Sequence, residues 1–187
     1  MTTPRDQDTL EVKGGSIRSK RDFVRVRFGD DAEAALDRYL EDRGHRHILE
    51  ANWYPFEVFD GVLRYIADNH YGGDLGRLRE VGRFSAEAAL TGTYDFLMRQ
   101  RDFSRFMDRI SVLHERYYSR GKLIVGLMAD APRHCDMMLE GAPFYTEPDL
   151  QVAAGFFTGA AEMMGLGNPR CRFEQRTGRV LFRLDWD

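Results

Sequence analysis

The residue of this sequence that comes nearest to a defined chemistry is a histidine on an apolar helical stripe. His114 stands in ISVLHERYYSRG, residues 110–121, four positions after Ile110 and directly after Leu113. That spacing predicts that its imidazole faces the interior. A neutral imidazole in an apolar pocket is a ligand for haem iron. A buried histidine is equally well a core residue that hydrogen-bonds a backbone carbonyl, and the sequence leaves both interpretations open.

Other residues that could bind metal or catalyse a reaction are dispersed. Cys135 lies between His134 and Asp136 on a predicted strand, where neighbouring side chains point to opposite faces and cannot converge on one ion. His45 and His47 fall in a connecting segment. Carboxylates fall on the polar faces of predicted helices: Glu87, Asp95, Asp102 and Asp108. No Gly-x-Ser-x-Gly, phosphate-loop or His-Glu-x-x-His motif occurs, so we expect neither an enzyme nor a metal site.

Aromatic residues are frequent, with 13 Phe and 8 Tyr, and they gather in three parts of the chain. Side chains of this kind can line an apolar ligand cavity. They can also simply fill the core, because aromatic rings bury large areas. The candidates for a cavity lining are Trp53, Tyr54, Phe56, Phe59, Phe103, Phe106, Tyr117, Phe156 and Phe157.

Helical periodicity dominates the first two thirds of the sequence. Three- and four-residue spacing of apolar positions, with polar caps and terminal glycines, predicts helices over 19–28, 30–43, 55–70, 74–100 and 102–118. Gly76, Gly82 and Gly92 interrupt the fourth of these, which predicts a break or a close helix contact near one of them.

The periodicity changes after residue 121. KLIVGLMADAPRHCDMMLEG predicts two strands joined by a turn at 130–133, and CRFEQRTGRVLFRLDWD predicts a hairpin that turns at Thr177-Gly178. A helix with many small residues, DLQVAAGFFTGAAEMMGLG, separates them. The predicted fold class is α+β: an N-terminal helical layer followed by two β-hairpins that form an antiparallel sheet, with an intervening helix. Residues 1–14 are predicted to be a flexible tail, and 15–187 a single domain.

Composition restricts location and partners. A net charge of −3 with interspersed signs argues against nucleic-acid binding, which normally needs a basic face. No apolar run approaches the ~18–20 residues that span a bilayer, and the N-terminus lacks the apolar core of a signal peptide. We expect a cytoplasmic protein in which Cys135 and Cys171 are free thiols.

Several longer segments resemble an uncharacterised bacterial family, common in myxobacteria. This family is related to the haem-nitric-oxide-binding (H-NOX) domains and to the four-vinyl-reductase-like domains. The resemblance rests on KGGSIRSKRDFVRVRFGDDA, NWYPFEVFDGVLRYIA, GDLGRLREVGRFSAEAALTGTY and YYSRGKLIV, and on the closing segment DLQVAAGFFTGAAEMMGLGNPRCRFE. It covers about residues 13–187. It implies a helical layer against an antiparallel sheet, with a cavity that relatives use for haem and diatomic gases, for aromatic effectors or, in TRAPP trafficking subunits, for an acyl chain.

The resemblance also implies site residues, and this sequence departs from them. The haem-binding relatives pair the haem propionates with a Tyr-x-Ser-x-Arg motif, but Tyr117-Tyr118-Ser119-Arg120 has the wrong spacing and the expected region, MMLEGAPFYTEPD, contains no arginine. The aromatic-sensing relatives hold a structural zinc with several cysteines, of which only Cys171 is present here in its Cys-x-Phe position.

The favoured prediction is therefore a non-enzymatic sensory or protein-interaction module without a cofactor, which binds a small apolar or aromatic ligand. It would form a homodimer and report to another signalling protein. One alternative is a haem-dependent gas sensor with His114 as proximal ligand, and another is an assembly subunit with a filled core and no ligand.

Overall fold

The chain forms a layer of helices beside a four-stranded sheet. The computed structural model describes residues 9–92, 103–126, 133–141 and 144–187. In these ranges the helices are α1 (Gly14–Phe28), α2 (Asp30–Glu41), α3 (Phe56–His70), α4 (Leu78–Thr91), α5 (Phe103–Tyr117) and α6 (Glu147–Met163), with a short 3-10 helix at Leu75–Arg77. The strands are β1 (Glu11–Lys13), β2 (Trp53–Pro55), β3 (Lys122–Val125), β4 (His134–Glu140), β5 (Arg170–Arg176) and β6 (Arg179–Asp185). The predicted α+β class is confirmed.

The helices bury the stripes that their sequences present. In α3 the buried positions include Phe56, Phe59, Leu63 and Ile66, at intervals of three and four residues. Pro55 immediately precedes this helix, because its fixed φ suits a helix start and its missing N–H is not needed there.

The fourth predicted helix is shorter than its periodicity indicates. The observed helix, α4, begins at Leu78 after the 3-10 turn and ends at Thr91. The backbone of the next residue, Gly92, is outside the helical region at φ −107° and ψ −110°. Glycine is the weakest helix former after proline, so an end at this position is physically reasonable. The remainder of the predicted helix, from 93 to 100, lies outside the described residues.

The sheet has the order β3-β4-β6-β5, and every neighbouring pair is antiparallel. Its inner face carries the buried side chains of alternate residues, among them Met137, Leu139, Val180, Phe182 and Leu184. The predicted turn at Thr177-Gly178 joins β5 to β6, with Gly178 at φ 74°. Helix α5 packs against β3, and α6 packs against β5 and β6.

Helices α4 and α6 cross in intimate contact through glycines. A Cβ at Gly82 would overlap the Val152 carbonyl oxygen, and a Cβ at Gly155 would overlap that of Arg79. Only glycine lets two helix backbones approach this closely. Helices α4 and α6 are therefore packed backbone to backbone at these two glycines.

The N-terminal segment differs from the predicted flexible tail. Residues 11–13 form β1, which pairs antiparallel with β2 in the register Val12↔Tyr54, and Leu10 and Val12 are buried. Gly14 donates its backbone N–H to the Asn52 carbonyl oxygen at 2.8 Å. The segment that precedes α1 is therefore fixed by hydrogen bonds as far as the first residue of that helix. The apolar residues Leu10 and Val12 supply the burial that stabilises this pairing.

Candidate functional site

A cavity of about 340 Å³ lies within the helical layer, between α1, α4, α5 and α6. Its volume corresponds to roughly eleven water molecules at ~30 Å³ each, which is the size of a small organic molecule. The apolar part of its lining comes from α4, α5, α6 and β3: Ala88, Ala89, Ile110, Leu113, Leu123, Val152, Ala153, Phe156 and Phe157. Such a lining with a few polar groups is typical of a small-molecule site.

A buried lysine contributes to the polar part of the lining. Lys20, on α1, is only 5% exposed, and its Nζ donates a hydrogen bond to Ser85 Oγ on α4 at 3.0 Å. Ser85 donates its own proton to the Val81 carbonyl oxygen at 2.9 Å, so its oxygen accepts from Lys20 and from Ser19 Oγ, 3.2 Å away. Burial lowers the pKa of Lys20 to about 8, although the Asp149 carboxylate acts in the opposite direction.

Asp149 lies in the first turn of α6 and is 2% exposed. Its carboxylate accepts a hydrogen bond from the Tyr118 hydroxyl at 2.7 Å. Burial raises the pKa of Asp149 to about 6, against the opposing effects of the Tyr118 hydrogen bond and of Lys20. The Asp149 charge and burial also raise the pKa of Tyr118 well above its usual value, with burial the larger cause. Tyr118 therefore remains a neutral donor at physiological pH.

His114 does line the cavity, and the hydrogen bonds around it fix its tautomer. The Tyr145 hydroxyl donates to the Arg120 carbonyl oxygen at 2.7 Å, so its oxygen is left to accept from His114 Nε2, 3.0 Å away. The imidazole then carries its proton on Nε2, and the buried Nδ1, which has no hydrogen-bond partner among the described residues, presents a lone pair. The ring stacks on Tyr118, with centroids 4.9 Å apart and planes 11° apart. Burial lowers the pKa of His114 to about 4, which keeps the ring neutral.

The predicted aromatic candidates divide into two groups. Tyr117, Phe156 and Phe157 line the cavity. The others lie outside its lining: Trp53, Tyr54, Phe56, Phe59, Phe103 and Phe106. Trp53 and Tyr54 belong to β2, where the Tyr54 hydroxyl accepts a hydrogen bond from the Leu49 backbone N–H at 2.8 Å. Phe103 packs on Trp186, with ring centroids 5.2 Å apart, as an ordinary core contact.

Of the polar residues in and around the cavity, His114 and Tyr117 were predicted from the sequence, whereas Lys20, Tyr145 and Asp149 were not. A signal for Lys20 was available, because it continues the apolar stripe of α1 between the buried residues Ile17 and Val24, at intervals of three and four residues. A lysine on a buried stripe is uncommon and indicates a specific partner. Asp149 and Tyr145 carried no comparable signal, since a carboxylate in the first turn of a helix is usually solvated.

These residues do not fit haem. His114 Nε2 is engaged by Tyr145, and Tyr118 covers one face of the ring. The region expected to carry the propionate-binding arginine instead buries a carboxylate: Asp149 stands four residues after Tyr145, the spacing that separates tyrosine from arginine in Tyr-x-Ser-x-Arg. A haem macrocycle with its propionates also needs more space than 340 Å³.

Within the described ranges, no three histidine, cysteine or acidic side chains cluster in a way that could hold a metal ion. Cys135 and Cys171 are buried on β4 and β5, each opposite Leu184 of the strand between them. Two inter-strand spacings of ~4.8 Å separate their backbones, which exceeds the reach of a disulfide. Burial raises the pKa of Cys135 to about 11 and that of Cys171 to about 12, so both are unreactive thiols.

The helical layer, the antiparallel sheet and the cavity among the helices define an α+β domain with a ligand-sized cavity. No family model and no curated protein matches the sequence. Solved structures with the same fold include H-NOX domains. The Fe(II) unliganded H-NOX protein from K. algicida superimposes with a TM-score of 0.70 at 13% identity, over 94% of this chain and 96% of that one. A mutant H-NOX of T. tengcongensis gives a TM-score of 0.70 at 15% identity, over 94% and 97%. A third, from work on haem distortion in the H-NOX family, gives 0.70 at 14% identity, over 94% and 95%.

The chain therefore has the H-NOX fold, as the sequence resemblance implies. At identities of 13–15% the likeness extends to the fold alone. None of the described helices is both long and apolar enough to cross a bilayer.

Proposed function

We propose that this chain is a cytoplasmic, non-enzymatic sensory module that binds a small, largely apolar molecule other than haem in the cavity. The observation that supports this most directly is the cavity itself, about 340 Å³ with apolar walls and a buried lysine, in a fold whose solved neighbours include H-NOX domains. The disagreements with a haem site, the engagement of His114 by Tyr145 and the buried Asp149 in place of an arginine, favour another ligand over haem.

The signal would be a population shift in the helical layer. The walls come from four helices that are separated in sequence, of which α4 and α6 are locked together by Gly82 and Gly155. A ligand that contacts α1 and α5 as well as this rigid pair favours the arrangement in which all four walls are in place. A partner protein that binds one arrangement would then read the ligand.

Ligand binding is tested by thermal shift with small aromatic and aliphatic compounds. A ligand at a hundredfold excess over its Kd should stabilise the protein by about 3 kcal/mol. Ala153→Phe fills the cavity from α6 and should abolish the shift, whereas Ala34→Phe, at an exposed position on α2, should retain it. A shift that survives Ala153→Phe would place the ligand elsewhere and refute the proposal.

The haem alternative has its own measurement, an absorbance spectrum of protein expressed with added haem precursor, with His114→Ala beside it. We expect no Soret band in either sample. A Soret band that is present in the wild type and lost in the variant would instead establish a haem sensor.

Association of two chains and kinship with the vinyl-reductase-like sensors also belong to the proposal. The edge strands β3 and β5 of the sheet could pair with or be covered by another chain, since unpaired edges are natural sites of association. Light scattering with and without ligand measures whether the chain is a homodimer and whether the ligand changes its association.

A further inference from the structure

Lys20 is an unusual residue for the wall of an apolar cavity. It is 5% exposed, whereas the other charged residues of the lining, Arg18, Asp22 and Glu50, are all exposed. Placing an ammonium inside a protein is costly unless its charge and its donors are satisfied. A leucine or methionine at this position of the α1 stripe would carry no charge and would avoid the free-energy cost of burying one.

The protein itself satisfies only part of this ammonium. Of its three N–H groups, one bonds Ser85 Oγ, and the Phe59 ring centroid lies 5.4 Å from Nζ. Among the described residues Nζ has no acidic oxygen within ion-pair distance, although the Asp149 carboxylate is near enough to raise the pKa of Lys20 against the effect of burial. Two of the three donors therefore have no hydrogen-bond acceptor among the described residues, and Lys20 lines the cavity in which a ligand acceptor could lie.

We propose that the cavity binds small apolar carboxylic acids, with the ligand carboxylate accepting hydrogen bonds from Lys20 Nζ. This rests on the proposed function, and it names the substrate class that the same cavity selects. An acceptor with negative charge supplies what Lys20 lacks, and the apolar side chains of α5 and α6 receive the body of the ligand. The cavity volume limits that body to about a dozen non-hydrogen atoms, at roughly one water volume of ~30 Å³ each.

Nearby groups are compatible with a carboxylate beside Lys20. Asp149 does not line the cavity, and its carboxylate accepts a hydrogen bond from the Tyr118 hydroxyl at 2.7 Å. The Ser85 hydroxyl accepts a hydrogen bond from Nζ at 3.0 Å and lies 3.2 Å from Ser19 Oγ, so it holds the ammonium on the α1–α4 side. Lysine suits this task as a compact charge that can meet one carboxylate without a bidentate partner.

The test is calorimetric titration at pH 7 with two probes of nearly equal shape, 4-phenylbutyrate and 4-phenylbutan-1-ol. Wild-type protein should bind the acid more tightly than the alcohol by on the order of tenfold to a hundredfold, the usual value of hydrogen bonds to a charged group. Lys20→Met should bind the two probes equally, with the affinity for the alcohol unchanged. Arg18→Met removes an exposed charge of the same lining and should keep the preference for the acid.

The outcomes separate this inference from the proposed function. Wild-type protein that binds the alcohol as tightly as the acid overturns the inference and leaves the proposed function standing. Protein that binds neither probe, nor any compound in the thermal-shift series, overturns both. A preference that Arg18→Met removes as completely as Lys20→Met does would place the carboxylate at the rim, against the inference. Ser85→Ala, which keeps the lysine but frees its Nζ, is the second variant if Lys20→Met does not fold, and it should weaken acid binding several-fold.

Discussion

The substitution Lys20→Met should stabilise the protein in the absence of ligand. Burial lowers the pKa of Lys20 from 10.5 to about 8. That difference corresponds to about 3 kcal/mol of unfavourable free energy at pH 7 for keeping the ammonium charged in the folded state. Methionine has a similar length and no charge. Losing the hydrogen bond to Ser85 costs about 1 kcal/mol, so the net gain in the free energy of unfolding is about 2 kcal/mol, or about 4–8 °C in Tm for a chain of this size.

The pH dependence of this gain gives the sharper assay. The pKa of Lys20 is lower in the folded state than in the unfolded chain, so the folded protein is penalised wherever the unfolded chain is protonated. The penalty is complete below pH 8 and disappears as the pH rises towards 10.5. The difference between Lys20→Met and wild type, measured by urea denaturation, should therefore shrink by about 2 kcal/mol between pH 7 and pH 9.5. Tyrosine ionisation affects both proteins alike and cancels in the comparison.

Lys20→Gln is the matched control for this measurement. It keeps a hydrogen-bond donor near Ser85 and removes the charge, so it should show the same loss of pH dependence. If the free energy of unfolding of Lys20→Met is lower than that of wild type by about 1 kcal/mol or more, the reasoning is refuted, because such a difference exceeds the uncertainty of the urea extrapolation. Such a result would mean that groups of the protein itself satisfy the charge and the hydrogen-bond donors of Lys20, so that the lysine does not need a ligand.

Three further predictions concern other parts of the fold. Because burial lowers the pKa of His114 to about 4, its contribution to stability is present above the unfolded pKa of 6.5 and is lost as the pH falls towards 4. Wild type should therefore lose about 2 kcal/mol relative to His114→Phe between pH 7 and pH 5 in urea titrations. Gly155→Ala should destabilise the protein by about 3 kcal/mol or more in the same assay, because its Cβ would overlap a carbonyl oxygen of α4. Gly15→Ala should be tolerated, because its Cβ would meet the flexible Glu50 side chain at 3.2 Å and the Glu50 carbonyl oxygen only at 3.8 Å. Cys135 and Cys171 should resist iodoacetamide at pH 8 in the native protein, and mass spectrometry should detect alkylation of both only after denaturation.

The order and type of most elements were readable from the sequence because each depends on a short, local pattern. The stripe through Phe56, Phe59, Leu63 and Ile66 predicts α3, and the alternation around Val180 predicts a strand with one buried face. Both patterns survive in the fold, since the burial they require is supplied by whichever element packs on them. The end of α4 and the pairing of β1 with β2 could not be predicted from the sequence. An isolated three-residue strand such as Glu11–Lys13 exists only because β2 is beside it.

The tertiary structure alone decided the chemistry of the site. The sequence placed His114 on an interior stripe, but whether its imidazole is a ligand or a hydrogen-bonded core group depends on Tyr145, which is 31 residues away and bonds Nε2 at 3.0 Å. In the same way Asp149 looks like an ordinary first-turn carboxylate in the sequence, and Ser85 is identified as the partner of Lys20 only once α1 packs on α4. A side chain's charge state and free donors are set by its neighbours in space, and local sequence patterns do not encode those neighbours. The sequence thus determined a helical layer over a sheet, and the packing of that layer determined which groups face the cavity.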